Sequence, residues 1–120
     1  MPLLRLSHAA RTDIVNILAW SQANFGDDAR HRYEALIAAG IRQVVKAPGG
    51  PGVRERPELG PGVQSWHLRQ SKHDGPREML VRHPRHVLIF RQDGDVVVIG
   101  RILHESMQAD RLVDAGSGWS

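Results

Sequence analysis

The stretch 86–112, HVLIFRQDGDVVVIGRILHESMQADRL, decides the reading of this chain. It divides at Asp93-Gly94 into two apolar runs, His86–Arg91 and Val96–His104. An Asp-Gly pair between β-branched segments signals a hairpin, because primed turns need the positive φ that glycine adopts without steric cost. Both runs are apolar on successive residues rather than on alternate ones. Such runs suit strands covered on both faces, as in the middle of a sheet. Gly100 interrupts the second run, at a place for a bulge or a close backbone approach. Arg101 follows it as a cation set among Ile99, Ile102 and Leu103.

Composition narrows the class around this hairpin. The chain has 120 residues, 41% of them hydrophobic and 24% charged, which suits one globular domain. No apolar run approaches a membrane span, and MPLLRLSHAA lacks the layout of a signal peptide. Cysteine is absent, which removes disulfides, thiol nucleophiles and thiolate metal sites, and a cytoplasmic location is expected. Formal net charge is +3, but the cations gather in one region. Arg69, Lys72, Arg77, Arg82, Arg85 and Arg91 face only Asp74 and Glu78 there, with His67, His73, His83 and His86 interleaved. Such a field meets an acidic partner or nucleic acid, or it is simply a solvated face.

Outward from the hairpin the chain reads β-α-α-β-(β)-β-β with a terminal helical turn. Leu3–Leu6 is a short strand, and Ser7 is the N-cap of a first helix with an apolar stripe at Ala10, Ile14, Ile17, Leu18, Ser21 and Phe25. Gly26 ends it. Asp27 or Asp28 caps a second helix, whose stripe runs through Ala29, Tyr33, Leu36, Ile37, Gly40, Ile41, Val44 and Val45. Gly40 on that stripe permits a close helix approach. Ala47–Gly62 reads as loop, Val63–Gln70 as a strand, and Glu78–Arg82 as a further short strand. Met107–Val113 is a short helix. The expected architecture is α+β, with an antiparallel helix hairpin on one face of a small, mainly antiparallel β-sheet. One domain is expected over 1–113, with 114–120 as a flexible tail.

LSHAARTDI, NFGDDARHRY, ELGPGVQSWHLR and PRHVLIFRQDGDVVVIGRILHESMQADRLV stand in an order that resembles the RelE/ParE toxins, in particular the ParE branch. The ending R-I-L-H-x-x-M-x-x-x-R-L is the most specific part. One departure is Gln108, where the family has an acidic residue after the methionine. The resemblance implies the toxin of a type II toxin–antitoxin module, neutralised by a ParD-like antitoxin whose C-terminal segment wraps it. It implies inhibition of DNA gyrase by protein–protein binding rather than catalysis, with DNA reached only through the antitoxin. With the charge map, it points to Arg69, Arg82, Arg85 and Arg101 for the antitoxin, and to Arg101, His104, Met107, Arg111 and Leu112 for the target.

The alternative is the RelE-like, ribosome-dependent cleavage of messenger RNA. That chemistry needs a base, an acid and cations for the developing phosphorane charge. Arg69, Arg85, His86, Arg101 and His104 are the candidates, with Glu55 or Glu58 as a base. The C-terminal tyrosine of many ribonuclease relatives has no counterpart, since the only tyrosine is Tyr33. Arg101 needs a partner in either case, internal or external. His83, His86 and His67 or His73 do not make a convincing zinc set, because Pro84 and the strand start oppose convergence, and no cofactor is expected. Trp66 reads as a packing aromatic, and Trp119 in the tail is either disordered or pinned by a partner. Aromatics do not interleave with the cations, so no base-stacking platform is visible.

Overall fold

The computed structural model describes residues 3–113 and 119–120. Its elements are β1 (Leu3–Leu6), α1 (His8–Phe25), α2 (Asp27–Lys46), β2 (Arg54–Glu55), β3 (Gln64–His67), β4 (His86–Asp93), β5 (Val96–His104) and α3 (Ala109–Leu112). They form one sheet in the order β1-β5-β4-β3-β2. Only β1 runs parallel to its neighbour; every other pairing is antiparallel. The hairpin forms as the sequence predicts, and of its loop residues only Gly94 takes a positive φ, 61°. Glycine at the first central position is the requirement of a II′ turn. Ile89 pairs with Arg101 but Phe90 pairs with Ile99, so Gly100 is the extra residue of a bulge.

Both faces of β4 and β5 are covered, as their unbroken apolar runs imply. On one face Leu88, Phe90, Val97, Ile99 and Ile102 pack with Trp66 and Leu68 under Ala10, Leu18, Leu36, Ile37 and Val44 of the helices. Ser7 caps α1: its Oγ accepts from Ala10 N–H (3.0 Å) and donates to the Gly100 carbonyl (2.6 Å). One fully buried hydroxyl thereby joins the helix start to the bulge. A Cβ on Gly40 would lie 2.5 Å from Leu68 Cδ2 and 3.3 Å from Leu88 Cδ1, so this glycine lets α2 approach the sheet rather than α1.

The other face has no helix pair over it. Leu59, Val63, Ile89, Val98 and Leu103 are buried there beneath the loop after α2, α3 and the indole of Trp119. Trp119, read as tail, is only 2% exposed and is pinned by its own chain. Residues 114–118 of the expected flexible tail lie outside the described residues. Trp119 departs from that expectation because a broad apolar sheet face needs a large cover.

Five local expectations are corrected. Glu78–Arg82 forms no strand; Arg77–Met79 is a 3-10 turn opened by Pro76. The edge of β3 that such a strand would need is taken by β2, inside the stretch read as loop. The strand expected through Gln70 stops at His67, where the chain tightens into a 3-10 turn over Leu68–Ser71. Trp66 Nε1–H donates to Ser71 Oγ (3.0 Å) across that turn. At the helix hairpin Gly26, with φ 91°, is the cap of α2, and Asp27 and Asp28 occupy the first turn, where the helix dipole favours acids. Phe25, expected in the core, is 68% exposed at the hairpin turn, its ring edge-on to exposed Trp20.

Candidate functional site

Three strands end together and bring three imidazoles to one end of the sheet. His86 opens β4 opposite His104, which closes β5, and His67 closes β3 opposite Val87. The His86 and His104 rings meet edge to face at 5.3 Å between centroids. From above, α2 lowers Tyr33 onto His86. The Tyr33 hydroxyl accepts the Arg85 N–H (3.3 Å) and donates to His86 Nδ1, which orients that ring with its proton on Nε2. Burial pushes the Tyr33 phenol up to about 12. Burial, and then the charge of His104, push His86 down to about 4. At neutral pH the pair is therefore an uncharged O–H···N contact.

Glu105, the residue after β5, closes the cluster. Its Oε2 takes His67 Nε2–H at 2.6 Å and its Oε1 takes Arg85 Nη1 at 2.9 Å. Those bonds, from His67 first and Arg85 second, hold the carboxyl down at about 2. His67 Nδ1 meanwhile accepts the Arg69 N–H (3.1 Å), which sets its tautomer. His104 Nδ1 accepts from Ser106 N–H (3.1 Å), with the Ser106 hydroxyl at 2.7 Å. Chemically the cluster is an interlocked set of mutual partners. Its carboxylate is already bonded by two donors, and His86 gives its Nδ1 lone pair to a phenol.

Arg101 stands apart from this cluster. Asp13 of α1 receives Arg101 Nε (2.8 Å) and Nη2 (3.0 Å) and also the Ile102 N–H (2.9 Å). That bidentate bond raises the Arg101 pKa further. The remaining Nη1 donates to the Leu112 carbonyl at 2.9 Å, tying α3 to β5. Of the two partners that the sequence left open for Arg101, the structure supplies the internal one. Asp13 was missed by sequence reasoning, although it is the one carboxylate of α1. Glu105 and the role of Tyr33 were also missed.

The other candidates fall into two groups. Arg69 and Arg82 are exposed on the segment between β3 and β4, where Lys72 Nζ donates to the Arg82 carbonyl (3.1 Å). With Arg85 they form a basic rim leading from the imidazole cluster. Met107, Arg111 and Leu112 are exposed around α3, with Met107 at 52% and Leu112 at 40%. Glu58 is paired to Arg56 (3.1 Å), and Glu55 lies exposed on β2. An open groove of about 540 Å³ lies over the C-terminal half of α2, lined by Leu4, Ala39, Ile41 and Val45. Its cations are Arg42 and Lys46 rather than the arginines singled out from the sequence. Among the described residues no group of histidines and carboxylates could hold a metal ion, and no helix is long and apolar enough to cross a membrane.

A helix hairpin packed on one face of a five-stranded, mostly antiparallel sheet defines a small α+β domain. In fold the chain is similar to a solved structure described as a chromosomal ParDE TA system from P. aeruginosa. The TM-score is 0.63 at 20% identity, with 87% of this chain and 96% of that chain covered. A family model described as the ParE toxin of type II toxin–antitoxin system, parDE, matches residues 4–109. The chain belongs to the ParE toxin family. No curated protein matches it.

Proposed function

We propose that this protein is the toxin of a type II toxin–antitoxin pair, held inactive in the cytoplasm by a ParD-like antitoxin and acting by binding DNA gyrase. The observation that carries this reading is the family match across residues 4–109. The cluster geometry favours binding over cleavage. A ribonuclease needs an acid and a base whose pKa values suit the working pH. His86 at about 4 and Glu105 at about 2 are far from that range, and both are occupied by neighbours.

In this reading Arg69, Arg82 and Arg85 receive an acidic antitoxin segment, since exposed cations steer and orient such a partner. A tail of that kind is disordered when free and orders on binding. His104, Met107, Arg111 and Leu112 form the target surface, with apolar anchors beside charge. Arg101 supports this surface from behind by holding the Leu112 carbonyl. DNA is reached only through the antitoxin.

The test puts the purified chain on two substrates side by side: gyrase with plasmid and ATP, and programmed ribosomes with a labelled message. Blocked supercoiling with trapped cleaved DNA and an intact message is the expected result. A cut message with normal gyrase would move His104 and the arginines into catalysis and overturn the proposal.

A further inference from the structure

The sheet face turned away from α1 and α2 carries a feature that the proposed target surface does not use. At the β5 bulge Gly100 leaves a gap, and the ring of Trp119 fills it. A Cβ built on Gly100 would stand 2.6 Å from Trp119 Cζ3 and 2.8 Å from Cε3. Gly100 does not have a positive φ, so the position needs glycine for space and not for backbone conformation. The walls of the gap are apolar: Ile89, Val98 and Leu103 below, Leu59 and Val63 beside. Arg91 closes the top, its Cζ 4.5 Å from the ring centroid, a cation–π arrangement. Shape, apolar walls and a stacked guanidinium together suit a flat, electron-rich aromatic.

The hold on Trp119 is incomplete. Its Nε1–H is buried and has no hydrogen-bond partner among the described residues. Outside the slot that donor would regain water, so docking sacrifices a hydrogen bond that release restores. Besides the apolar walls and the Arg91 contact, two hydrogen bonds to backbone carbonyls tie this segment. Arg5 Nη1 donates to the Trp119 carbonyl (2.9 Å), and His8 N–H donates to the Ser120 carbonyl (2.8 Å).

We propose that the Gly100 bulge forms an indole-binding slot on the sheet face turned away from α1 and α2, filled in the resting protein by the chain's own Trp119 as a releasable latch. Release bares the apolar wall formed by Ile89, Val98 and Leu103 and frees Arg5, while Arg91 keeps its bond to Asp93 (3.1 Å). The same slot accepts a free indole once Trp119 leaves it. The inference rests on the slot alone and stands whether or not gyrase is the target.

Full-length protein labelled with 5-fluorotryptophan gives 19F signals for Trp20, Trp66 and Trp119, assigned by single Trp→Phe substitutions. Titrating indole is expected to move the Trp119 signal to a solvent-exposed position while Trp66, buried on the other face, stays fixed. Millimolar indole is needed, because a tethered ring competes at an effective concentration of about that order. Gly100→Ala keeps the tryptophan but blocks the slot, so its Trp119 signal starts exposed and indole has no effect. Trp119→Ala is expected to melt about 10 °C lower, with indole recovering at least half of the loss. A wild-type Trp119 signal that stays put at every indole concentration overturns the proposal. So does a folded Trp119→Ala protein indifferent to indole. Should Trp119→Ala fail to fold, the wild-type and Gly100→Ala titrations decide alone.

Discussion

Removing Asp13 should damage this protein more than any surface carboxylate, and the structure says by how much. The Asp13 and Arg101 side chains are 14% and 23% exposed. Exposed ion pairs contribute at most about 1 kcal/mol, whereas removing one partner of a buried pair costs about 3–5 kcal/mol. The pair lies near the buried limit and is bidentate, and Asp13 also accepts the Ile102 N–H. Asp13→Ala leaves a guanidinium and a backbone donor unsatisfied, so a cost of about 3 kcal/mol is expected. Asp13→Asn keeps one carbonyl acceptor and should cost about half as much. Arg101→Ala orphans the carboxylate and the Leu112 carbonyl, for a similar cost of about 3 kcal/mol. The double variant should then cost about 4 rather than about 6 kcal/mol, a coupling of about 2 kcal/mol. Urea unfolding followed by far-UV circular dichroism measures all four corners of the cycle. Additivity within about 0.5 kcal/mol would refute the reasoning, because partners that do not couple do not hold each other.

Acid should destabilise the protein in two steps. The unfolded chain takes up a proton at His86 near 6.5 but the folded one only at about 4, so stability falls as pH drops through that window. Glu105, held at about 2 in the fold, adds a second loss from about 4.5 downward. Thermal midpoints against pH should show both slopes, and His86→Gln should abolish the first. At the alkaline end Tyr33, raised to about 12, costs stability once pH passes 10, and Tyr33→Phe should remove that limb of the same profile. Ser7→Ala removes the cap on Ala10 N–H and the donor to Gly100 O, and should cost about 2 kcal/mol by denaturant unfolding. Reversing Arg69 and Arg82 to Glu should leave the melting point unchanged, as both are exposed, yet weaken antitoxin binding. Calorimetry should find that weakening shrinks at high salt, where screening has already removed the attraction.

What the chain determined by itself is whatever depends on neighbours within a few turns. The Asp93-Gly94 hairpin, the Ser7 cap, the stripes of α1 and α2 and the double burial of β4 and β5 follow from local spacing and turn chemistry. The bulge at Gly100 was signalled by a glycine inside an apolar run. Tertiary structure alone decided the rest, because the partners are distant and the pairing carries no periodic signal. Asp13 and Arg101 are 88 residues apart, and Tyr33 and His86 are 53 apart. A lone acid on a helix or a glutamate after a strand looks like any solvated charge until the fold sets a cation beside it. The two-residue β2 has too little pattern to read and exists because β3 offers it an edge. Trp119 looks like tail until the sheet presents an uncovered apolar face with a gap at Gly100. Phe25 shows the converse: its spacing matched the core stripe, but the helix hairpin turns at Gly26 and leaves it outside. Periodicity specifies which face an element would bury; the packed neighbours decide whether anything is there to bury it against.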